Sequence, residues 1–276
     1  GFRSFYQRSY YNIYKYRSMK RHLLGLLLTL STLLANPIDD KGSQFVYQGA
    51  PVSSLTKNEQ YLIKKYYAIH YRYDTKTAEY VVEHVTKEAI TGPAKRKDDF
   101  RPDPEVIAKY QSQLEDYAGK PFDRGHLVPG ANNTQNDEAM SESFFLSNMV
   151  PQVPNHNRGI WKQLETLVRN WVQEGKDIYV ISGTIYGKDY KSIGDNKVGI
   201  PDYLWKIAVD KKTNKSIAFL FPNAPLPVAD LPKYVVSIAE IEAKTGINFH
   251  PKLTTAQAKA LEGDKANLKD WPGVEK

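Results

Sequence analysis

The sequence predicts an α+β fold with a central antiparallel sheet and helices on both sides. Short segments rich in β-branched and aromatic residues recur along the chain, as is typical of strands. Two of them are separated by a short polar turn, which predicts an antiparallel hairpin. A longer segment repeats an apolar residue every four positions, which predicts an amphipathic helix. The chain has 276 residues, 41% of them hydrophobic, so it is long enough to bury a sizeable core.

The first 35 residues are expected to precede the folded domain. Residues 1–18 are rich in Tyr and Arg without periodicity, so we expect a disordered extra segment upstream of Met19. The alternative is a basic, aromatic arm that contacts nucleic acid. Residues 19–35 place basic residues before an apolar run from Leu23 to Leu34 and end on the small Ala35, the pattern of a secretory signal peptide.

This apolar run has 12 residues, whereas a helix that spans a bilayer needs about 20. We therefore expect a secreted or periplasmic protein, with no stable membrane association once the signal peptide is cleaved. The alternative is an uncleaved membrane anchor. The chain has no cysteine, which excludes a lipoprotein, disulfides and thiolate metal sites.

The net charge of +7 comes mostly from the same region. Residues 1–35 contain six basic and no acidic residues, which leaves 32 basic against 31 acidic residues in the rest of the chain. The domain is therefore nearly neutral, and any attraction to phosphate groups must come from a local patch rather than from the global charge.

The next elements form the start of the domain. Residues 36–60 contain scattered Gly, Pro, Ser and Asp and predict an irregular lead-in. The hairpin strands are residues 66–73 and 78–85. Residues 105–117 are predicted to form a short helix, and residues 118–136 a loop with a short strand.

The second half of the chain holds the longest predicted helix, residues 157–173, in which Ile160, Leu164 and Val168 belong to an apolar stripe. A last helix ends at Gly246, a residue favoured after helix C-termini. The tail, residues 254–276, is polar and expected to be loosely held. The other predicted elements are a helix at 137–145, an extended stretch at 146–151, strands at 177–184, 203–209 and 216–221, and the last helix at 233–244.

The densest group of chemically useful residues lies between positions 123 and 169, opening with the motif DRGH. On the long helix, Asn157, Glu165 and Arg169 are separated by multiples of four, so an amide, a carboxylate and a guanidinium point to one side. Mg²⁺ prefers oxygen ligands and retains several waters, so one Asn ligand with a nearby carboxylate is adequate. His126 supplies a base suited to proton transfer near neutrality. These residues permit phosphodiester hydrolysis without proving it.

Two longer motifs, FDRGHLVPGANN and FFLSNMVPQVPNHNRGIWKQLE, resemble the signature of the DNA/RNA non-specific endonucleases. The resemblance covers residues 61–253, which we interpret as the nuclease domain. It implies a ββα-metal active-site motif within the α+β fold. It also implies a sugar-non-specific endonuclease that hydrolyses DNA and RNA to 5′-phosphorylated products with Mg²⁺.

The resemblance also implies roles for individual residues. His126 is the general base, Asn157 is the direct metal ligand, and Glu165 binds metal-bound waters. Arg169 and Arg96 stabilise the phosphate. The remaining two expected site residues are Arg124, which shapes the substrate site, and Asn148, which supports it.

Simpler roles stay open for most of these residues. His126 alone could be a structural loop histidine, and Asn157 could be only a helix cap. Glu165 and Arg169 could be a surface ion pair. Arg96 could lie in a solvated basic loop, and Arg124 could support the fold through a salt bridge.

Two competing functions also stay open: a membrane-tethered nuclease in DNA uptake, and a catalytically inactive nucleic-acid-binding protein on the same scaffold. The sequence does not decide whether DNA or RNA is preferred, or whether Mn²⁺ can replace Mg²⁺. It also leaves open whether the protein forms a homodimer or has an inhibitor protein.

Overall fold

The computed structural model describes residues 36–53 and 58–275, so the predicted segments 1–18 and 19–35 lie outside the described residues. Seven strands form one sheet in the order β1-β2-β3-β6-β9-β10-β11, and every neighbouring pair is antiparallel. They are β1 (Glu59–Ile63), β2 (Ala68–Arg72), β3 (Thr77–Val85), β6 (Ile178–Ile185), β9 (Tyr203–Asp210), β10 (Lys215–Pro222) and β11 (Val235–Val236). Four shorter strands form two hairpins, β4 (Asp123–His126) with β5 (Met149–Gln152) and β7 (Ser192–Ile193) with β8 (Val198–Gly199).

The α-helices are α1 (Pro37–Lys41), α2 (Lys87–Ile90), α3 (Leu114–Tyr117), α4 (Asp137–Glu142), α5 (Lys162–Gln173), α6 (Ile238–Thr245) and α7 (Thr255–Glu262). They cover both faces of the sheet, as predicted. One apolar core includes Leu164 of α5 and Trp161 just before it, and the other includes Ile241 of α6 and Leu261 of α7. Within the described ranges, no helix is long and apolar enough to cross a bilayer.

The β4–β5 hairpin and the helix after it form the ββα unit. His126 is paired with Met149 across the hairpin, and a π-helical turn, His156–Trp161, leads from β5 into α5. Gly159 inside this turn has φ −107° and ψ −106°, so the predicted helix at 157–173 is interrupted near its start. Gly125 has no room for a side chain, because a Cβ there would collide with the side chain of Gln152. The glycine of the DRGH motif therefore allows β4 and β5 to lie close to each other.

Three sequence predictions are wrong in detail. Residues 105–117 do not form one helix, because the side chain of Gln111 donates to the backbone oxygens of Asp103 and Val106 and holds the segment in a loop. The last helix begins only after Ser237, whose hydroxyl caps it by accepting from the backbone N–H of Glu240. The lead-in at 36–60 is not wholly irregular, since it contains α1 and the start of β1.

The polar tail is packed rather than loosely held. It contains α7, and Trp271 and Val274 beyond it are each 1% exposed. The Trp271 ring packs edge-on against Trp171 of α5, with ring centroids 4.8 Å apart. A few large apolar side chains thus fix a segment whose average composition is polar.

Candidate active site

An open cleft of about 880 Å³ lies over the ββα unit. Six of the seven predicted site residues line it: Arg96, Arg124, His126, Asn157, Glu165 and Arg169. They come from the loop before α3, from β4, from the π-helical turn and from α5. The hairpin and the helix therefore bring together residues that are up to 73 positions apart in the chain.

His126 lies at the end of β4 with its side chain almost wholly enclosed. Its exposed fraction is 9%, and its Nε2 has no hydrogen-bond partner among the described residues. Burial, followed by the positive charges of Arg96 and Arg124, lowers the pKa of His126 to about 3. The imidazole is therefore neutral at pH 7 and can accept a proton.

The position of His126 is fixed from two sides. Its ring packs edge-on against Phe144, with ring centroids 4.8 Å apart. Its backbone oxygen accepts a 3.1 Å hydrogen bond from Nε1 of Trp161, which is fully buried. The π-helical turn is thereby tied directly to the strand that carries the histidine.

Asn157 is held by the carboxylate of Asp123. Its Nδ2 donates to Asp123 Oδ2 at 2.8 Å, and Arg158 donates to both oxygens of the same carboxylate at 2.9 and 2.7 Å. Burial opposes the ionisation of Asp123, but these hydrogen bonds outweigh it, and the pKa of Asp123 falls below its usual range. Because Nδ2 is occupied, the amide oxygen is the end of Asn157 available to a cation.

Two arginines flank the histidine against aromatic rings. The guanidinium of Arg124 lies 4.0 Å from the centroid of Phe100, and that of Arg96 lies 5.0 Å from the centroid of Phe144. Arg96 also pairs with Asp98 at 2.7 Å. Stacking holds a guanidinium by its face, so the N–H groups that are not bonded to Asp98 can bind phosphate oxygens at its edge.

Glu165 and Arg169 project from α5 above a buried ammonium group. Burial raises the pKa of Glu165, although the charges of Lys206 and Arg169 oppose this. Lys206 is 2% exposed; its Nζ donates to Ser182 Oγ at 2.7 Å and lies 4.4 Å from the Trp161 ring centroid. The negative charge of Glu165 is thus partly balanced by the buried ammonium group of Lys206, and its side chain lines the cleft.

A sequence profile of DNA/RNA non-specific endonucleases matches residues 42–256. This chain belongs to the DNA/RNA non-specific endonuclease family. It is 33% identical to the mitochondrial nuclease EXOG of Danio rerio, over 74% of this chain and 65% of that protein. It is 34% identical to the mitochondrial endonuclease G of Homo sapiens, over 74% of this chain and 73% of that protein. A nuclease of Nostoc sp. is 32% identical, over 80% of this chain and 81% of that protein.

The chain therefore spans slightly less than two thirds of the Danio rerio protein. The fold agrees with the family. A chain from the crystal structure of the EndoG/EndoGI complex superimposes with a TM-score of 0.67, at 23% identity, over 82% of this chain and 96% of its own length. The predicted α+β fold with a ββα unit is confirmed.

The oxygen donors in this cleft fit a hydrated divalent metal ion. Among residues 36–53 and 58–275, no group of three His, Cys, Asp or Glu side chains could hold a metal ion. A metal bound in this cleft would therefore need other protein ligands or water. Asn157 supplies one oriented amide oxygen, and Glu165 lines the same cleft. An ion that keeps several of its waters suits so few protein ligands.

Asn148 is the predicted residue that does not reach the cleft. It is fully buried; its amide accepts from the N–H of Val128 and donates to the oxygens of Val128 and Ser143, each at 2.9 Å. These bonds hold the loop that follows His126, so its role in the structure is support of the fold behind the site.

Sequence reasoning missed several cleft residues. Asp123, Arg158 and Lys162 all line the cleft, and each is adjacent or close to a residue that was predicted. Asp123 belongs to the quoted DRGH motif, so its carboxylate beside an amide ligand could have been anticipated. Lys206 lies behind the cleft without lining it, and it could not have been anticipated, because the sequence of β9 gives no local sign that this side chain reaches Trp161.

Proposed function

We propose that this protein is a metal-dependent endonuclease that hydrolyses DNA and RNA with little sequence preference. One observation carries the proposal: a neutral, buried imidazole and an oriented amide oxygen face one cleft that also holds several guanidinium groups. Phosphodiester hydrolysis needs these parts, namely a base for water, a cation site and cationic stabilisation of the phosphate.

His126 is the general base. Its neutral ring takes a proton from a water molecule, which attacks the phosphorus in line with the departing 3′ oxygen. The bond between phosphorus and the 3′ oxygen breaks, the 3′ oxygen leaves as a hydroxyl, and the phosphate stays on the 5′ oxygen of the downstream nucleotide. The enclosure of His126 by Phe144 and Phe100 keeps the ring in one orientation during the transfer.

Arg96, Arg124 and Arg169 stabilise the phosphate. Negative charge develops on the phosphoryl oxygens in the transition state, and fixed guanidinium groups stabilise it without reorganising. The cleft is lined by both positively charged side chains and carboxylates. The attraction for a phosphate group is therefore confined to the arginines rather than spread over the surface. Contacts of this kind position the backbone and do not distinguish bases.

Asn157 would hold the Mg²⁺ ion, and Glu165 would accept hydrogen bonds from its waters. When bound, the ion supplies positive charge near the leaving oxygen and a source of protons for it. The oxygen ligands also suit Mn²⁺.

The deciding assay is digestion of plasmid DNA and of RNA with Mg²⁺, with Mn²⁺ and with EDTA. We expect cleavage of both substrates that EDTA abolishes, and a loss of at least about 10²-fold in His126→Ala, the range attributed to a general base. The matched control is His84→Ala, because His84 pairs with Asp177 and stacks on Tyr179 outside the cleft. Ligation of the cleaved ends without kinase treatment tests for 5′-phosphates.

The competing functions give different results. An inactive nucleic-acid-binding protein would shift DNA in a gel without cutting it, and His126→Ala would behave as wild type. Export from the cytoplasm is a separate proposal. The similar proteins include both mitochondrial and bacterial nucleases, so membership of the family does not decide the location. The mass of the protein recovered outside the cytoplasm would show cleavage after residue 35, whereas an intact segment 19–35 in the membrane fraction would favour the tethered nuclease.

A further inference from the structure

A buried carboxylate lies directly behind the cleft and takes no part in the proposed chemistry. Glu83, on β3 of the central sheet, is only 4% exposed and does not line the cleft. Burial raises the pKa of Glu83 to about 7, against the opposing effects of Lys206 and of a hydrogen bond from Asn132. A carboxyl group is costly to bury unless its oxygens accept hydrogen bonds or pair with positive charges.

Asn132 connects this carboxylate to the cleft. Its Nδ2 donates to both oxygens of Glu83, at 3.1 and 3.2 Å, and its Oδ1 accepts from Nη1 of Arg169 at 3.3 Å. Asn132 is itself 4% exposed and does not line the cleft. Only the NH₂ end of an amide can donate to a carboxylate, and only its oxygen can accept from a guanidinium. Glu83 therefore fixes which end of Asn132 faces Arg169.

Arg169 has a second contact within its own helix. Its Nη2 donates to Thr166 Oγ1 at 3.2 Å. The guanidinium is thus held from α5 on one side and from the loop after His126 on the other. Without Asn132, the hydrogen bond of the guanidinium that remains among the described residues is the one to Thr166, three positions away on the same helix. The long side chain is then free to change rotamer.

We propose that Glu83 and Asn132 are positioning residues that hold the guanidinium of Arg169 toward the substrate phosphate. The inference rests on the proposed function, because it assigns Arg169 to the phosphate. Neither Glu83 nor Asn132 touches substrate; both act through Arg169. Their effect is therefore expected on kcat, where phosphate charge is stabilised in the transition state, rather than on KM.

The test is a double-mutant cycle between Asn132→Ala and Arg169→Ala, in which kcat and KM for cleavage of a DNA duplex with Mg²⁺ are measured under steady-state conditions. We expect Asn132→Ala alone to lower the rate by about tenfold, the effect of losing one hydrogen bond to a charged group, with KM changed less than threefold. In the Arg169→Ala background, Asn132→Ala should lower the rate less than twofold further. A full tenfold loss in that background would overturn the proposal.

The neighbouring Asn133→Ala is the matched control. Asn133 is equally buried, but its amide donates to the backbone oxygen of Pro129. Any loss it causes should be the same in the wild-type and Arg169→Ala backgrounds. A structural disturbance of this loop would make Asn132→Ala behave in that way too.

Glu83→Gln provides a second variant if Asn132→Ala does not fold. It keeps the shape and an acceptor oxygen while weakening the hydrogen bond to Asn132. We expect Glu83→Gln to lower the cleavage rate several-fold in the wild-type background and to have no further effect in the Arg169→Ala background. A loss that persists in the Arg169→Ala background contradicts the proposal. Failure of the proposed function is distinct from either result, since it would show as a wild-type protein without metal-dependent cleavage.

Discussion

The carboxylate of Asp123 is expected to control metal affinity while contributing little to stability. In Asp123→Asn, the group that fixes the amide of Asn157 loses its charge and half of its acceptor capacity. Asp123 accepts three hydrogen bonds, but two come from Arg158, whose side chain is 72% exposed. An exposed ion pair is worth about 0–1 kcal/mol, so the free energy of unfolding should fall by no more than that.

The third hydrogen bond determines the effect on the metal. Replacing a residue that orients a metal ligand typically weakens binding by about 10–100-fold, which corresponds to roughly 1.4–2.7 kcal/mol. We therefore expect the Mg²⁺ concentration for half-maximal cleavage to rise by that factor, with the maximal rate largely recovered at high Mg²⁺.

The assay is a Mg²⁺ titration of the cleavage rate for wild type, Asp123→Asn and Arg158→Ala. Arg158→Ala removes the other partner of Asp123 and leaves its hydrogen bond with Asn157 in place, so its half-maximal Mg²⁺ concentration should stay within about threefold of wild type, below the shift expected for a lost orienting partner. An unchanged Mg²⁺ requirement in Asp123→Asn would refute the idea that Asp123 orients the metal ligand.

Three further predictions concern stability. Burial lowers the pKa of His156 to about 4, and burial with the nearby arginines lowers that of His126 to about 3. Below about pH 6.5 the unfolded chain therefore binds more protons than the folded protein. The free energy of unfolding should fall as the pH falls from 7, by on the order of 2 kcal/mol per histidine at pH 4.5. Urea unfolding at both pH values checks this, and His156→Gln should reduce the pH difference. Asn148→Ala removes three buried hydrogen bonds and should lower the unfolding free energy by about 2–4 kcal/mol; a loss below 0.5 kcal/mol would contradict a supporting role. Trp271→Ala should cost about 3–5 kcal/mol by urea unfolding, and a neutral result would mean that the tail is not packed.

The sheet was predictable because the local sequence of each strand is itself typical of a β-strand. The predicted strands at 177–184, 203–209 and 216–221 match β6, β9 and β10 within two residues at each end, since each is rich in β-branched or aromatic side chains. The DRGH motif and the spacing along α5 likewise identified most of the cleft residues, because neighbours in one motif or on one helix face remain neighbours in the fold.

The failures have a common physical cause, which is that specific side-chain contacts override the average composition of a segment. Residues 105–117 have helical composition, yet Gln111 bonds to backbone oxygens and prevents the helix. The tail is polar on average, but Trp271 packs edge-on against Trp171 of α5, whose Nε1 also donates to the backbone oxygen of Pro272. Glu83 and Lys206 lie on strands more than 100 residues apart in the chain, and only the folded sheet brings their charges close enough to interact, so no spacing in the sequence indicates them.

The most direct measurement is a crystal structure of His126→Ala with Mg²⁺ and a short DNA duplex, in which cleavage is too slow to destroy the complex. We predict an ion bound to the side-chain oxygen of Asn157, with one backbone phosphate between that ion and the space left by the imidazole. An ion held by other side chains, or a phosphate that lies outside the cleft formed by β4 and α5, would contradict the mechanism.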